Sequence, residues 1–286
     1  MASLMVETRD NVDYVTLNRP NFLNALDDEL TDNLGCYFDG LVRSTKIRVV
    51  VLRGAGRAFC SGLDLTSNLA QNFVEGGPVE KLDVQRRLRN IISAMRRCPQ
   101  PIIAALHGVA AGGGFMLALA SDIRIAVEGT RFNAAFMKIG VGGADIGASY
   151  LLPRLIGAGP STELLLTGRM ITADRALQLG ILSEVMPAER LDEAVQAYVD
   201  DLLSTAPLAL RLTKEVLNIN VDAPSLEAAL ALEDRNQVIL GQTENFALAV
   251  AAFGRREPVL FTAAGDAAAR SLNDSSDADP NAPQAS

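Results

Sequence analysis

Tryptophan is absent from this chain, histidine occurs once (His107), and cysteine three times, at Cys36, Cys60 and Cys98. One imidazole leaves no histidine cluster for a transition metal. The cysteines show no paired spacing, so neither a zinc site nor a disulfide framework is expected. No apolar run approaches the ~20 residues that a membrane helix needs, and residues 1–10 carry acids where a secretion signal has its apolar stretch. Basic residues are outnumbered, 26 against 34, for a net charge of −8. That balance does not supply the basic surface on which sequence-independent nucleic-acid binding depends. The expectation is a metal-free protein of a reduced cytoplasm, with no nucleic-acid or membrane partner.

What the chain does have is apolar content: 49% of its 286 residues are hydrophobic and 21% charged, enough to bury a sizeable core. Residues 5–7 and 12–17 flank Arg9-Asp10-Asn11 and read as a hairpin closed by polar turn residues. Leu26, Leu30, Leu34, Phe38 and Leu41 then recur at helical spacing. Val49-Val50-Val51-Leu52 and Ile102-Ile103-Ala104-Ala105-Leu106 are short apolar runs that end at glycines, as strands buried on both faces do. Between them, Val84, Leu88, Ile91 or Ile92, and Met95 mark a helix over residues 78–99, and Ile123, Ile125 and Val127 alternate as a later strand. Strand, glycine turn and helix recur in order, which predicts an α/β fold of repeated β-β-α units. After residue 188 the pattern is helical only, with candidates at 191–203, 208–217, 226–240 and 246–253. Past 262 hardly any large apolar residue remains. The expected divisions are a core with the site over residues 1–200, a helical subdomain over 201–262, and a disordered tail over 263–286.

Two glycine-broken segments follow strands. One is Gly54-Ala55-Gly56-Arg57-Ala58-Phe59-Cys60-Ser61-Gly62-Leu63-Asp64-Leu65, the other His107-Gly108-Val109-Ala110-Ala111-Gly112-Gly113-Gly114. Glycine allows positive φ and close approach of backbone to a ligand. Free N–H groups at a helix start suit an anionic or developing-anionic oxygen. Converging N–H groups from two such segments would form an oxyanion hole, in which each donor is worth ~3 kcal/mol of transition-state stabilisation. Taken singly, either glycine set could equally serve a tight turn. Gly54-Ala55-Gly56 also begins like a dinucleotide fingerprint, but its third glycine would fall at Phe59 and Ser61-Gly62 delays any helix.

These segments, together with Leu17-Asn18-Arg19-Pro20, Leu23-Asn24-Ala25-Leu26 and Glu163-Leu164-Leu165-Leu166-Thr167-Gly168-Arg169, closely resemble the enoyl-CoA hydratase/isomerase (crotonase) family from about Val6 to Phe261. The resemblance implies a spiral of β-β-α units, a C-terminal helical trimerisation region, and a homotrimer or dimer of trimers. It implies an acyl-CoA thioester as substrate, with coenzyme A part of that substrate and no separate cofactor. The thioester oxygen would sit between the backbone N–H groups of Leu63 and Gly113. Leu23, Ala25, Ala58, Ser61, Gly62, Asp64, Leu65, Val109, Gly112 and Gly140 would line the substrate passage, and Arg256 would approach a CoA phosphate.

The family's hydratases use two carboxylates, one to activate water and one to exchange a proton at the α-carbon. By position, Met116 and Phe136 replace them here and would make the acyl pocket apolar. Asp145, in the glycine-rich turn Gly142-Gly143-Ala144-Asp145-Ile146-Gly147, stands where relatives such as dienoyl-CoA isomerases and chlorobenzoyl-CoA dehalogenases keep a working aspartate. It reads as the acid/base, or else as a cap of the following helix. The dehalogenases' tryptophan is missing, and so is the isomerases' glutamate partner. The expectation is an enzyme that stabilises a thioester enolate, with double-bond isomerisation fitting one proton shuttle better than hydration; a non-catalytic acyl-CoA-binding protein is the other reading. His107 and Cys60 read as structural, Asp64 as fixing its loop. Lys138 reads as a solvated charge, and Arg86, Arg87, Arg89, Arg96 and Arg97 as the polar face of their helix.

Overall fold

Asp10 and Asn11 adopt φ of 48° and 66°, a left-handed pair that short polar side chains tolerate, and they close the antiparallel hairpin of β1 (Leu4–Arg9) and β2 (Val12–Leu17). The computed structural model describes residues 2–267. The later strands are β3 (Val49–Gly54), β4 (Ile102–Leu106), β5 (Val109–Ala111), β6 (Ile123–Val127), β7 (Arg131–Asn133), β8 (Ile171–Thr172) and β9 (Glu184–Met186). They form a six-stranded sheet in the order β1-β2-β3-β4-β6-β9, parallel from β2 onward, and a three-stranded sheet in the order β5-β7-β8. Isolated bridges Leu26↔Leu63 and Cys60↔Ala110 extend the small sheet backwards along the chain. Each turn of chain therefore gives one strand to the large sheet, one extended stretch to the small layer, and then a helix.

The helices of this part are α1 (Asp28–Leu41), α2 (Asn68–Glu75), α3 (Pro78–Arg97), α4 (Gly113–Ala120), α5 (Ala148–Ile156), α6 (Ala158–Thr167), α7 (Ala173–Gln178) and α8 (Leu191–Leu203). Helix α1 starts where Asp27 Oδ1 accepts from Leu30 N at 2.9 Å, with Asp28 and Glu29 in its first turn. Its stripe of Leu30, Leu34, Phe38 and Leu41 is buried, as the spacing predicts. Alternation within β3 divides the core: Val50 and Leu52 pack with that stripe and with α3, while Val49 and Val51 face the other way with Ile103, Ile125 and Val195 and Val199 of α8. Both faces of the parallel strands are covered, which is why these strands read as continuous apolar runs. Helix α2 is not predicted by the sequence analysis; Ser67 caps it and Leu69 and Ala70 bury it. No helix among the described residues is long and apolar enough to cross a membrane.

The chain divides into a unit of Met1–Leu203 and a second that begins at Ser204. The second contains α9 (Pro207–Asn220), α10 (Leu226–Leu240) and α11 (Glu244–Arg255). Within it, the expected tail is partly structured. Ala264–Asp266 form a short 3-10 turn. Asn245 Nδ2 donates to Thr262 O and Asp266 Oδ1, both at 2.8 Å, and Asp266 Oδ2 accepts from Leu208 N at 2.9 Å. Two side-chain partners suffice to hold a segment that hydrophobicity alone leaves loose. The rest of the expected tail, residues 268–286, lies outside the described residues.

The Leu23-Asn24-Ala25-Leu26 motif has a structural function. Asn24 is fully buried at φ 55°; its Nδ2 donates to Ala55 O and Ala58 O at 2.8 Å each, and its Oδ1 accepts from Arg19 N at 2.8 Å. Asn24→Ala would strand two carbonyls and put alanine in the left-handed region. It is expected to lower unfolding stability by about 3 kcal/mol in urea titration, with secondary structure retained.

Candidate active site

The two glycine-broken segments run side by side. Phe59 N donates to His107 O at 2.9 Å, Cys60 N to Val109 O at 3.1 Å, and Ala111 N to Cys60 O at 3.0 Å. This pairing requires glycine at its margins: a Cβ on Gly108 would lie 2.1 Å from Arg57 O, and one on Gly114 2.2 Å from Cys60 O. Gly62 has φ 101°, and a Cβ there would lie 2.9 Å from Ala111 O and 3.4 Å from Gly113 N. Gly54 is also a packing glycine, since a Cβ would lie 2.5 Å from both Ala58 O and Phe59 O. The next helix after it is α2, well downstream, so the dinucleotide fingerprint is not built here.

Leu63 and Gly113 face the same space. Leu26 pairs with the strand on one side, its N–H reaching Gly62 O at 2.7 Å and its carbonyl taking Asp64 N at 3.0 Å; the intervening Leu63 N–H points the other way. Gly113 is the first residue of α4, whose first closing bond runs from Met116 N to Gly112 O at 3.1 Å. Among the described residues, no acceptor takes the Leu63 or the Gly113 N–H. Both residues line a cavity of about 510 Å³ whose walls are mostly apolar, including Leu26, Phe73, Val84, Leu88, Phe136 and Ile146.

Asp145 is the single carboxylate among the cavity's described lining residues. Its Oδ1 accepts from Ile146 N at 2.8 Å. Burial raises its pKa above the ordinary carboxylate value, against the opposing effect of hydrogen bonds from Ile146 N and the Gln85 side chain. The turn that presents it is strained: Ile146, a β-branched residue, has φ 34°, followed by Gly147 at 99°. The helix-cap reading is overturned. Gly147 is the N-cap of α5 and no side chain caps it; Ala148 N bonds the Asp145 main-chain carbonyl at 2.8 Å.

The cavity thus brings together Leu63, Gly113 and Asp145 with Ser61, Gly62, Leu65, Gly112 and Phe136. Other expected site residues of the first unit are elsewhere. Met116 is fully buried in the core, where α4 packs on all sides, and does not line the cavity as expected. Asp64 is turned away: Thr66 N and Oγ1 donate to its Oδ1 at 3.0 and 2.6 Å, and Arg19 to its Oδ2 at 2.9 Å. Burial raises its pKa, but those bonds outweigh it and hold the carboxyl below the usual range. Leu23, Ala25, Ala58 and Val109 support the paired segments without lining the cavity; Leu23 O accepts from Ser61 N at 3.0 Å. Gly140 is exposed, ending the turn Ala135–Ile139, and Arg256 ends α11 in the second unit at φ 58°. Burial pushes the Cys60 thiol up to about 12 and lowers the His107 imidazole, whose ring nitrogen lies 3.0 Å from Gly56 O. Neither lines the cavity.

Gln85 and Lys81 were missed. They lie beside Val84 and Leu88, at the polar edge of the stripe that marks the helix in the sequence, and the i, i+3, i+4, i+7 spacing of 81, 84, 85 and 88 is the signal that places them on one face. The arginines of α3 face outward instead, Arg87 to Asp28 and Asp32, Arg97 to Asp39.

Gly114→Ala is expected to cost more than about 2 kcal/mol by thermal denaturation, because its Cβ meets backbone rather than a movable side chain. Gly35→Ala, in helix α1 with nothing within 4 Å of the added Cβ, is expected to stabilise by up to about 1 kcal/mol.

The sequence matches the Enoyl-CoA hydratase/isomerase family over residues 7–263. It is 37% identical over 262 residues to the protein named "Probable enoyl-CoA hydratase EchA12" in Mycobacterium tuberculosis, covering 91% of this chain and 92% of that one. It is 33% identical to the 1,2-epoxyphenylacetyl-CoA isomerase of Escherichia coli, covering 92% and 99%. The crystal structure of an enoyl-CoA hydratase from Bacillus anthracis superposes with a TM-score of 0.85 at 29% identity, over 91% of this chain and 99% of that one. The paired glycine segments and the matches along the chain agree, and the protein belongs to the enoyl-CoA hydratase/isomerase family.

Proposed function

We propose that this enzyme binds an acyl-CoA thioester with its carbonyl oxygen between the N–H groups of Leu63 and Gly113, and moves one proton on the acyl group with Asp145. The observation that carries this reading is the joint placement of two unused backbone donors and one carboxylate on the same apolar cavity. Removing a proton from the α- or γ-carbon pushes the C–H electrons toward the thioester oxygen, and negative charge grows there. Two fixed N–H donors, one at the N-terminus of α4, stabilise that charge without reorganising, about 3 kcal/mol per donor. The Asp145 carboxylate accepts the proton. The electrons return from oxygen to carbon, and the acid delivers the proton to a different carbon, so the double bond has moved and no redox partner or further cofactor is needed. Hydration asks for a second group to activate water while a proton moves at the α-carbon, and this cavity offers one carboxylate. Gln85 orients Asp145, and burial brings its basicity nearer the working range of a general base.

We further propose a homotrimer or dimer of trimers, working in the cytoplasm. Exposed apolar side chains of the second unit, among them Leu217, Leu226, Val238 and Phe253, support association. Light scattering is expected to give three or six chain masses; a monomer at micromolar concentration would contradict it.

Asp145→Asn is expected to reduce kcat on β,γ-enoyl- and dienoyl-CoA esters by about 10²–10⁴-fold. Unchanged turnover would remove Asp145 from the chemistry, and tight thioester binding by the wild type without turnover of any ester would make the protein a binder instead. Wild-type kcat/KM is expected to rise with pH through a value above the ordinary aspartate range, a limb the Asn variant lacks. The stability effect has the opposite sign to that of a salt-bridged aspartate. With the folded pKa raised, the native state holds the proton longer, so stability grows as pH falls through that value, and Asp145→Asn should raise Tm at neutral pH.

A further inference from the structure

Lys81 is the one basic side chain among the described residues that line the cavity. Along α3 it belongs to the stripe that also puts Val84, Gln85 and Leu88 on the cavity wall. Three arginines of that helix are paired, Arg87 with Asp28 and Asp32, Arg96 with Asp122 and Arg97 with Asp39, and Lys81 is the basic residue of the helix that lines the cavity. Among the described residues no carboxylate lies within ion-pair distance of the Lys81 ammonium. A part-buried cation at the edge of an apolar cavity, without a counter-charge, favours an anionic ligand group there.

Distance restricts what that group is. Lys81 stands one turn, about 6 Å of axial rise, from Gln85, and Gln85 hydrogen-bonds Asp145. In a CoA thioester about a dozen bonds separate sulfur from the nearest phosphorus, roughly 14 Å at the ~1.2 Å per bond of an extended chain. An extended pantetheine arm would therefore carry the phosphates well past a cation one helical turn from Gln85. A carboxylate about five bonds along the acyl chain spans the ~6 Å turn. The flexible four-carbon stem of lysine suits a terminal carboxylate met as a point charge.

We propose that Lys81 receives a carboxylate at the far end of the acyl group, so that the substrate class is ω-carboxyacyl-CoA thioesters. This rests on the acyl-CoA reading of the cavity. Calorimetry with adipyl-CoA and hexanoyl-CoA, equal in length and differing in the terminal carboxylate, tests it without needing turnover. Wild-type protein is expected to bind adipyl-CoA about tenfold more tightly or better, the scale of one charge-assisted hydrogen bond. Lys81→Met, checked for folding by circular dichroism, is expected to bring the two affinities within about twofold of each other. Equal wild-type affinities, or a preference that survives Lys81→Met, overturns the carboxylate assignment and leaves acyl-CoA binding intact. If Lys81→Met weakens free CoA as much as adipyl-CoA, the cation serves a phosphate and the assignment also fails. Absence of binding by either thioester sinks the acyl-CoA reading itself, and this assignment with it.

Discussion

Backbone pairing between the segments around Cys60 and Ala110 is the constraint on which the rest of this site depends. A buried polypeptide normally uses all its N–H groups internally. Here two strands from successive turns of the chain must lie close enough to bond each other, yet leave the Leu63 and Gly113 amides unspent. Side chains would block that approach, since Cβ atoms at Gly108 and Gly114 would collide with main-chain carbonyls. Glycine removes the collision and adds unfolded-state entropy that folding must overcome. The offset comes from burial around the pairing, where Phe59, Phe115 and Phe132 are nearly or wholly inaccessible, each worth about 1.5–3 kcal/mol. Asn24 and the Arg19 ion pairs to Asp27 and Asp64, at 3.0 and 2.9 Å, fix the outer edge of the same loop.

Asp145 is set up by a second local expense. A half-buried carboxylate and an isoleucine at φ 34° are each unfavourable, and they occupy consecutive positions. Neither is needed to start α5, because Gly147 and a main-chain carbonyl already do that. A turn built for stability alone would place a glycine or asparagine at position 146 and a neutral residue before it. Strain and a buried acid on the wall of an apolar cavity fit the proposed role of Asp145, since reactive sites commonly trade stability for activity.

The legible parts of this protein are those in which one residue type has one physical use. Continuous Val and Ile runs predicted strands covered on both faces, and the glycine segments announced close backbone approach before their partners were known. What escaped were cases decided by direction rather than identity. Met116 has the right place in the sequence for the cavity, but α4 is buried all round and turns that side chain into the core. Lys81 and Gln85 are polar residues beside a hydrophobic stripe, and spacing alone does not say whether the edge of a stripe meets water or a cavity. Helix α2 is short and was hidden by its mixed composition. The turn at residues 264–266 is held by Asn245 and Asp266, and pairings between side chains so far apart in sequence leave no local pattern.

On the proposed reading, with one carboxylate at the cavity, the proton that Asp145 removes is the proton it has to give back. Economy of this kind demands that the acyl group lie still while the acid turns from one carbon to the next, and that bulk water be kept from the carboxyl meanwhile. Apolar walls supplied by α2, α3 and Phe136 meet the second demand. The first would be met in part by the two backbone donors, which on that reading fix the thioester end. A single fixed end leaves a flexible chain free to swing, so a second anchor at the distal end adds orientation as well as affinity. On the proposed reading, Lys81 supplies that anchor. Proton economy and substrate charge then become linked requirements: the fewer the catalytic groups, the more precise the positioning that remote binding must provide.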